Sequence, residues 1–244
     1  MIGRIVWFVG LAAAALLTGA LQLDMRARSA AAVAPAVPEL LRDHAQVQIT
    51  RKALMGKDPA RALAEAETLV QRRPLPAENL TLLAAAQAKA GQVDAAARTI
   101  QVAGQRGWRD PAAQEAMMRL ALAAGDRPEA ARRYSALFLR GRTPDALLVE
   151  FGPAIFDGPD RSGRDTLVAI VVGGERWHPT FLRRGAKVVP PAAFAAIAAD
   201  SMARGTAFDC KTLAISISEL ARRDEAAAAA LKAASQARCP ALKG

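Results

Sequence analysis

Two stretches, LLAAAQAKAGQVDAAARTIQVA (82–103) and MRLALAAGDRPEAARRYSALFL (118–139), constrain the fold more than anything else in this chain. Each reads as a small-residue helix, a glycine, a short polar turn and an Ala-rich helix. Gly91 and Gly125 stand 34 residues apart, and so do Ala84 and Met118, Ala96 and Ala130, and Ile100 and Tyr134. One step of 34 back puts Ala62 and Ala66 at the Ala96 and Ile100 sites, with Pro74 in the loop. One step forward puts Val168 at the Ile100 site and Gly158-Pro159 at the turn. A fixed period of this kind marks a helical repeat, in which each hairpin has an apolar edge that only a neighbour can cover.

Composition points the same way. Hydrophobic residues make up 52 % of the chain, much of that alanine, and aromatics only 5 %. Alanine is the best helix former and a poor strand former. Strand-type alternation is nearly absent, so the expected fold class is all-α.

On these residues the unit resembles the tetratricopeptide repeat (TPR). In that family a large residue and a Leu precede a small residue in the first helix. A Gly precedes the turn, and an Ala and an aromatic or aliphatic residue mark the second helix. Leu80, Leu83, Ala84, Gly91, Ala96, Ile100 and Ala103 match in one repeat. In the next, Gly125, Ala130 and Tyr134 match, while Gln114, Met117 and Met118 depart from the pattern. The motif covers 77–144, and the period extends it to repeats at 43–76, 77–110, 111–144 and 145–178. The outer two are degenerate, with Thr50 at the small position of the first and Arg164 at the Ala position of the fourth.

The resemblance implies an antiparallel helix-hairpin, TPR-like right-handed solenoid over 43–178. It also implies a concave groove, lined by first helices, that holds a partner protein's extended peptide or helix. Carried onto this chain, Thr81, Ala85, Ala88 and Lys89 face that groove from one repeat, and Glu115, Arg119, Leu122 and Ala123 from the next. Val47, Arg51 and Leu54 extend it. The paired Lys and Asn groups with which chaperone-binding members clamp a C-terminal carboxylate are missing. The chain's own linker or C-terminal hairpin is the alternative occupant.

Local signals fill in the elements. Gly91 and Gly125 end first helices, and Asp94 and Asp126 are placed to cap second ones. SGRDTLVAIVVGG reads as a helix with a capping-box-like start at Ser162 and Asp165, despite its β-branched run. HPTFLRRG and PPAAFAAIAADSMARG read as two more. With a final hairpin they form a C-terminal helical cap over 179–244, and residues 29–42 read as a short Ala/Pro linker. Trp108 and Trp177 precede helix starts and read as hydrophobic staples.

The first 28 residues read as an N-terminal transmembrane or signal-anchor helix. An uncharged run from Ile5 to Leu23 has 19 residues, which at about 1.5 Å each nearly matches a hydrocarbon core of about 30 Å. A small-residue site at Thr18-Gly19-Ala20 leaves a cleaved signal peptide open. The apolar run continues past it through Leu23, which favours a retained anchor. No cysteine is near, which excludes a lipoprotein. Charge asymmetry across the run is close to nil: Arg4 and the amino terminus on one side, Arg26 and Arg28 offset by Asp24 on the other. A short N-terminus staying inside gives a single-pass bacterial inner-membrane protein with its soluble domain in the periplasm. Cys210 and Cys239 bracket the final hairpin, where antiparallel helices bring the two ends together. A disulfide there fits an oxidising compartment; two ordinary buried thiols are the alternative.

No chemistry stands out. The two histidines, His44 and His178, have no metal-type spacing to each other or to cysteine. Asp157, Asp160 and Asp165 sit among Gly, Pro and Arg and read as turn and cap residues. Neither a nucleophile elbow nor a phosphate loop is present. Net charge is +10, but the basic residues are scattered and few aromatics interleave them, which argues against nucleic acid. The expectation is a non-enzyme without cofactor or metal: an envelope adaptor or scaffold, serving assembly or secretion of envelope components. Two alternatives stand beside it: an enzyme or ligand-binding protein with a site in the irregular region 150–190, or a structural subunit that self-associates through its repeat edges.

Overall fold

The computed structural model describes residues 2–240. Among them, thirteen α-helices and three short 3-10 turns form, and no strand. The chain divides into two compact units, Met1–Ala113 and Gln114–Gly244.

In the first unit, α1 (Ile2–Ala27) is the one helix among the described residues long and apolar enough to cross a membrane, and its apolar window lies clear of the rest of the chain. Its last turn is different. Asp24 is buried, and its carboxylate accepts the N–H groups of Asp43, His44 and Ala45 at 2.9, 3.0 and 2.9 Å. These are donors that the start of a helix leaves unsatisfied. α2 (His44–Met55) is therefore capped from α1, while its own N-cap Asp43 makes no side-chain cap bond. Four residues further on, Gln48 Nε2 donates to Arg28 O at 3.3 Å. The offset of about twenty residues holds from one contact to the next, so α2 starts beside the last turn of α1 and leaves it in the same direction. Residues 29–42 make two 3-10 turns, Ala31–Ala36 and Glu39–Leu41. Their Ala34 and Val37 are buried with Ala27 and Ala45, so this linker is packed against the end of α1.

α2 pairs with α3 (Pro59–Arg72), which packs on α4 (Ala77–Lys89), which packs on α5 (Val93–Arg106). Alanines make the close seams: Ala53, Ala62, Ala66 and Ala86 form one buried cluster. The buried polar groups Gln46 and Thr50 both bond to Glu65 O, at 3.2 and 3.0 Å. Gly91 ends α4 with φ +79°, a conformation that costs glycine little. Asp94 does not cap α5. It lies inside the first turn, and the N-cap is Gln92, without a side-chain bond.

α6 (Pro111–Ala123) opens at the unit boundary. The second unit continues with α7 (Arg127–Phe138), α8 (Asp145–Phe156), α9 (Ser162–Val172), α10 (His178–Val188), α11 (Pro191–Ala203), α12 (Cys210–Ala221) and α13 (Glu225–Ser235). Second helices α7, α9, α11 and α13 pack in succession as one layer, and first helices α8, α10 and α12 as another. Between them lies the main core, with Tyr134, Phe156, Phe181 and Phe194 fully buried. Asp126 caps α7 by accepting Glu129 N at 2.9 Å. The capping box expected at Ser162 is absent. The N-cap of α9 is Arg161, and Ser162 Oγ donates instead to Asp160 Oδ2 at 2.7 Å. At Gly163 a Cβ would collide with Ile155 O, so glycine lets α9 close on α8.

First helices begin at His44, Ala77, Pro111, Asp145, His178 and Cys210, spacings of 33, 34, 34, 33 and 32 residues. The period thus runs on past 178. The expected cap consists of two further hairpins, α10–α11 and α12–α13; its last four residues, 241–244, lie outside the described residues. Cys210 and Cys239 are bonded, with Cα atoms 5.7 Å apart, which ties the start of α12 to the chain just after α13.

Candidate functional site

The residues expected to face a partner fall into two groups. On α4, Ala85 and Ala88 are exposed, but Thr81 and Lys89 have structural partners. Thr81 Oγ1 donates to the buried carboxylate of Asp110, which itself accepts Ala112 N at 3.1 Å at the start of α6. Lys89 Nζ reaches Leu54 O and Gly56 O, where α2 ends. An ammonium there meets unsatisfied carbonyls and the negative end of the helix dipole. On α6, Glu115 and Arg119 pair at 2.7 Å, and the Arg119 guanidinium lies 4.3 Å from the Phe151 ring centroid and 4.0 Å from Glu150. Leu122 is half-buried against the second unit's core, and Ala123 is exposed. Val47 and Leu54 are half-buried, and Arg51 is exposed. What remains for a partner is a small-residue surface on α4 and another, with one arginine, on α6.

Apart from the exposed Glu175, all but one of the carboxylates in the region 150–190 sit in ion pairs. Asp160 meets Arg127 at 2.8 Å, and the hydrogen bond from Ser162, with the nearby Arg127 charge, keeps its carboxyl below the usual range. Asp165 lies 3.9 Å from Arg204, and Arg161 pairs with Asp200. Asp157 is the exception: partial burial pushes its carboxyl up, against the opposing charge of Arg164. His178 Nε2 lies 2.9 Å from Val171 O. A carbonyl only accepts, so the ring donates there and joins α10 to α9, with its edge against Phe208. Trp177 covers Gly174, while Trp108 is 52 % exposed with Arg109 over its ring, so Trp108 is no staple.

Asp24, Asp43 and His44 bring three ligand-type atoms within 4.8 Å of one another. Each already serves a protein donor. Asp24 takes three backbone N–H groups. Arg73 Nε meets Asp43 at 3.0 Å, and Arg73 Nη1 lies 3.1 Å from His44 Nδ1. A cation placed there would face a guanidinium, so the donor set fits a joint better than a metal centre.

Much of the excess positive charge serves the fold. Arg184 of α10 donates to Phe138 O, Arg140 O and Thr143 O and pairs with Asp145, clamping the end of α7 and the loop after it. Arg223 donates to Ala186 O and Val189 O at 2.7 and 3.0 Å, closing the end of α10. One group of cations is different. A cleft of about 370 Å³ at the end of α2 is lined by Lys52, Lys57 and Arg61, together with Arg42, Asp58 and Glu65. Lys52, Lys57 and Arg61 make no ion pair among the described residues, which leaves positive charge in the cleft beside its two carboxylates. The stretch KALMGKDPAR carries this cluster openly, but a period search aimed at apolar positions passes over it.

Protein-family models, curated proteins and solved structures were all compared with the chain, and none matches. The class its fold defines is an all-α, helical-repeat-like protein with, among the described residues, one N-terminal apolar helix long enough to span a membrane.

Proposed function

We propose that this protein is a membrane-anchored, TPR-like adaptor of the bacterial envelope. α1 stays in the inner membrane as a single-pass anchor, and the helical hairpins stand in the periplasm. A first-helix surface, on α4 in the first unit or on α6 in the second, takes a peptide or helix from another protein involved in assembling or exporting envelope components. The observation that carries this reading is the joint at Asp24, which ties an exposed apolar helix directly to hairpins of near-constant length. The Cys210–Cys239 bond supports the oxidising side.

The test is photo-crosslinking in native cells, with the reactive residue at Ala88 or at Ala123. Both are exposed, whereas Leu122 would disturb the core. One specific heterologous protein is expected, with its capture at Ala123 lost on Arg119→Glu. Capture of this chain alone, at both positions, would sink the adaptor reading and favour a self-associating subunit.

A second reading, a protein that binds small anions, is favoured by the unpaired cations Lys52, Lys57 and Arg61. Calorimetric titration with inorganic phosphate, with and without Lys57→Glu, decides it: no heat of binding removes it.

A further inference from the structure

The joint between α1 and α2 also determines which end of the first unit meets lipid. Asp24, just past the apolar run of α1, is level with the start of α2. The end of α3 is held at that same level, because Arg73 bonds to Asp43 and His44. Asn79 at the start of α4 donates to Arg73 O at 2.9 Å, and Arg106 at the end of α5 reaches Pro74 O at 3.4 Å. Gly107 lies against Ala77. One rim of the unit is thus a continuous set of helix ends, starting where α1 leaves its apolar run.

That rim carries side chains that water does not favour. Leu40 is 96 % exposed and Leu75 85 %, both in connections between helices, and Trp108 projects from the loop after α5. Arginines accompany them. Arg109 lies over the Trp108 ring, and Arg26 and Arg28 are exposed at the end of α1. Acids are fewer: Glu39 and Asp43 are paired with Arg72 and Arg73, and Glu78 is exposed. Tryptophan and leucine flanked by arginine suit the boundary between acyl chains and phosphates. The opposite ends of the same helices also expose apolar residues, Met55 and Val93. Direction decides between the two ends, since α2 starts beside the end of α1 and runs away from the membrane.

We propose that this rim is a second membrane contact. Leu40, Leu75 and Trp108 enter the headgroup layer, and the arginines beside them bind lipid phosphates. The proposal rests on α1 being a membrane anchor.

The test uses the full chain in nanodiscs of phosphatidylglycerol and phosphatidylethanolamine. The two native cysteines are bonded to each other, so a nitroxide attaches only to an introduced cysteine, placed singly at Leu11, Leu40, Leu75 or Val93. Collisions with oxygen, which concentrates in lipid, are compared with collisions with a water-soluble nickel chelate. The oxygen-to-nickel ratio is expected to be several-fold higher at Leu40 and Leu75 than at Val93, and highest at Leu11. A lipid value at Leu11 with aqueous values at Leu40 and Leu75 overturns the rim contact and leaves the anchor intact. Shielding of Leu75 from both reagents also overturns it, because protein then covers the rim. An aqueous value at Leu11 removes the anchor and the rim contact with it.

Discussion

Tyr134 sits at the heart of the second unit with its hydroxyl buried and without a hydrogen-bond partner among the described residues. Burial pushes its phenol above the ordinary value, so the group stays neutral. Its ring is what the core uses, edge-on to Phe156 at 5.0 Å. Tyr134→Phe is therefore expected to stabilise the protein by about 1 kcal/mol, the usual cost of an unmade buried hydrogen bond, measured by urea denaturation. Arg184→Ala is expected to cost about 2–3 kcal/mol, because it strips three carbonyls and Asp145 of a charged donor. Hydrogen exchange should then rise first in the loop around residues 139–144. Glu129 gives a pH signature. Burial pushes its carboxyl up, but hydrogen bonds from Arg132 and Arg133 outweigh that and hold it below the usual range. A depressed value stabilises the folded state above the unfolded pKa of about 4.3 and loses that stabilisation as pH falls through the folded value. The gap in melting temperature between wild type and Glu129→Gln should be full at pH 7 and close in acid. The place of Tyr134 was legible in the sequence because it falls one period after Ile100 and one before Val168, on the core-facing side of a second helix. The roles of Lys89 and Arg184 were not, since the carbonyls they meet lie more than thirty residues upstream.

At the scale of helices, the terminal hairpin depends on a covalent tie. Replacing Cys210 and Cys239 with serine is expected to cost about 3–4 kcal/mol for a closed loop of this length, visible as a lower melting midpoint that reductant no longer changes. Gly163→Ala should also be strongly destabilising, because the obstacle is backbone at Ile155 and cannot swing aside. The helices themselves were readable from alanine runs and from glycines with positive φ at 91, 125 and 205. α10–α11 and α12–α13 were readable as helices but not as continuations of the period. Their turns carry Val189-Pro190 and Arg223-Asp224 where the earlier pairs have glycine, so an alignment on glycine loses them. Residues 29–42 looked like spacer because Ala and Pro dominate. Alanine has little surface to bury, yet against a helix as small-faced as the end of α1 it packs well.

For the whole molecule, the Arg excess invites a nucleic-acid reading that the side chains do not encourage, since several arginines are spent on carbonyls and carboxylates within the fold. Binding to duplex DNA at 150 mM salt is expected to be absent in a filter assay. Exposure was only half legible in the expected groove residues: Ala85 and Ala88 are exposed, but nothing in sequence spacing tells an exposed lysine from one that, like Lys89, closes a helix. If α1 is retained, the mature chain carries its first twenty residues, and intact mass from the membrane fraction reads this directly. Because Asp24 and Gln48 hold the start of α2 beside the end of α1 at two levels, the pair would, with α1 anchored as proposed, behave as a lever with its fulcrum in the bilayer. Apolar spans longer or shorter than the local hydrocarbon thickness respond by tilting. In a thinner membrane α1 would lean, and the first hairpin would have to lean with it. On the proposed anchoring, the orientation of the first unit would be a readout of membrane thickness.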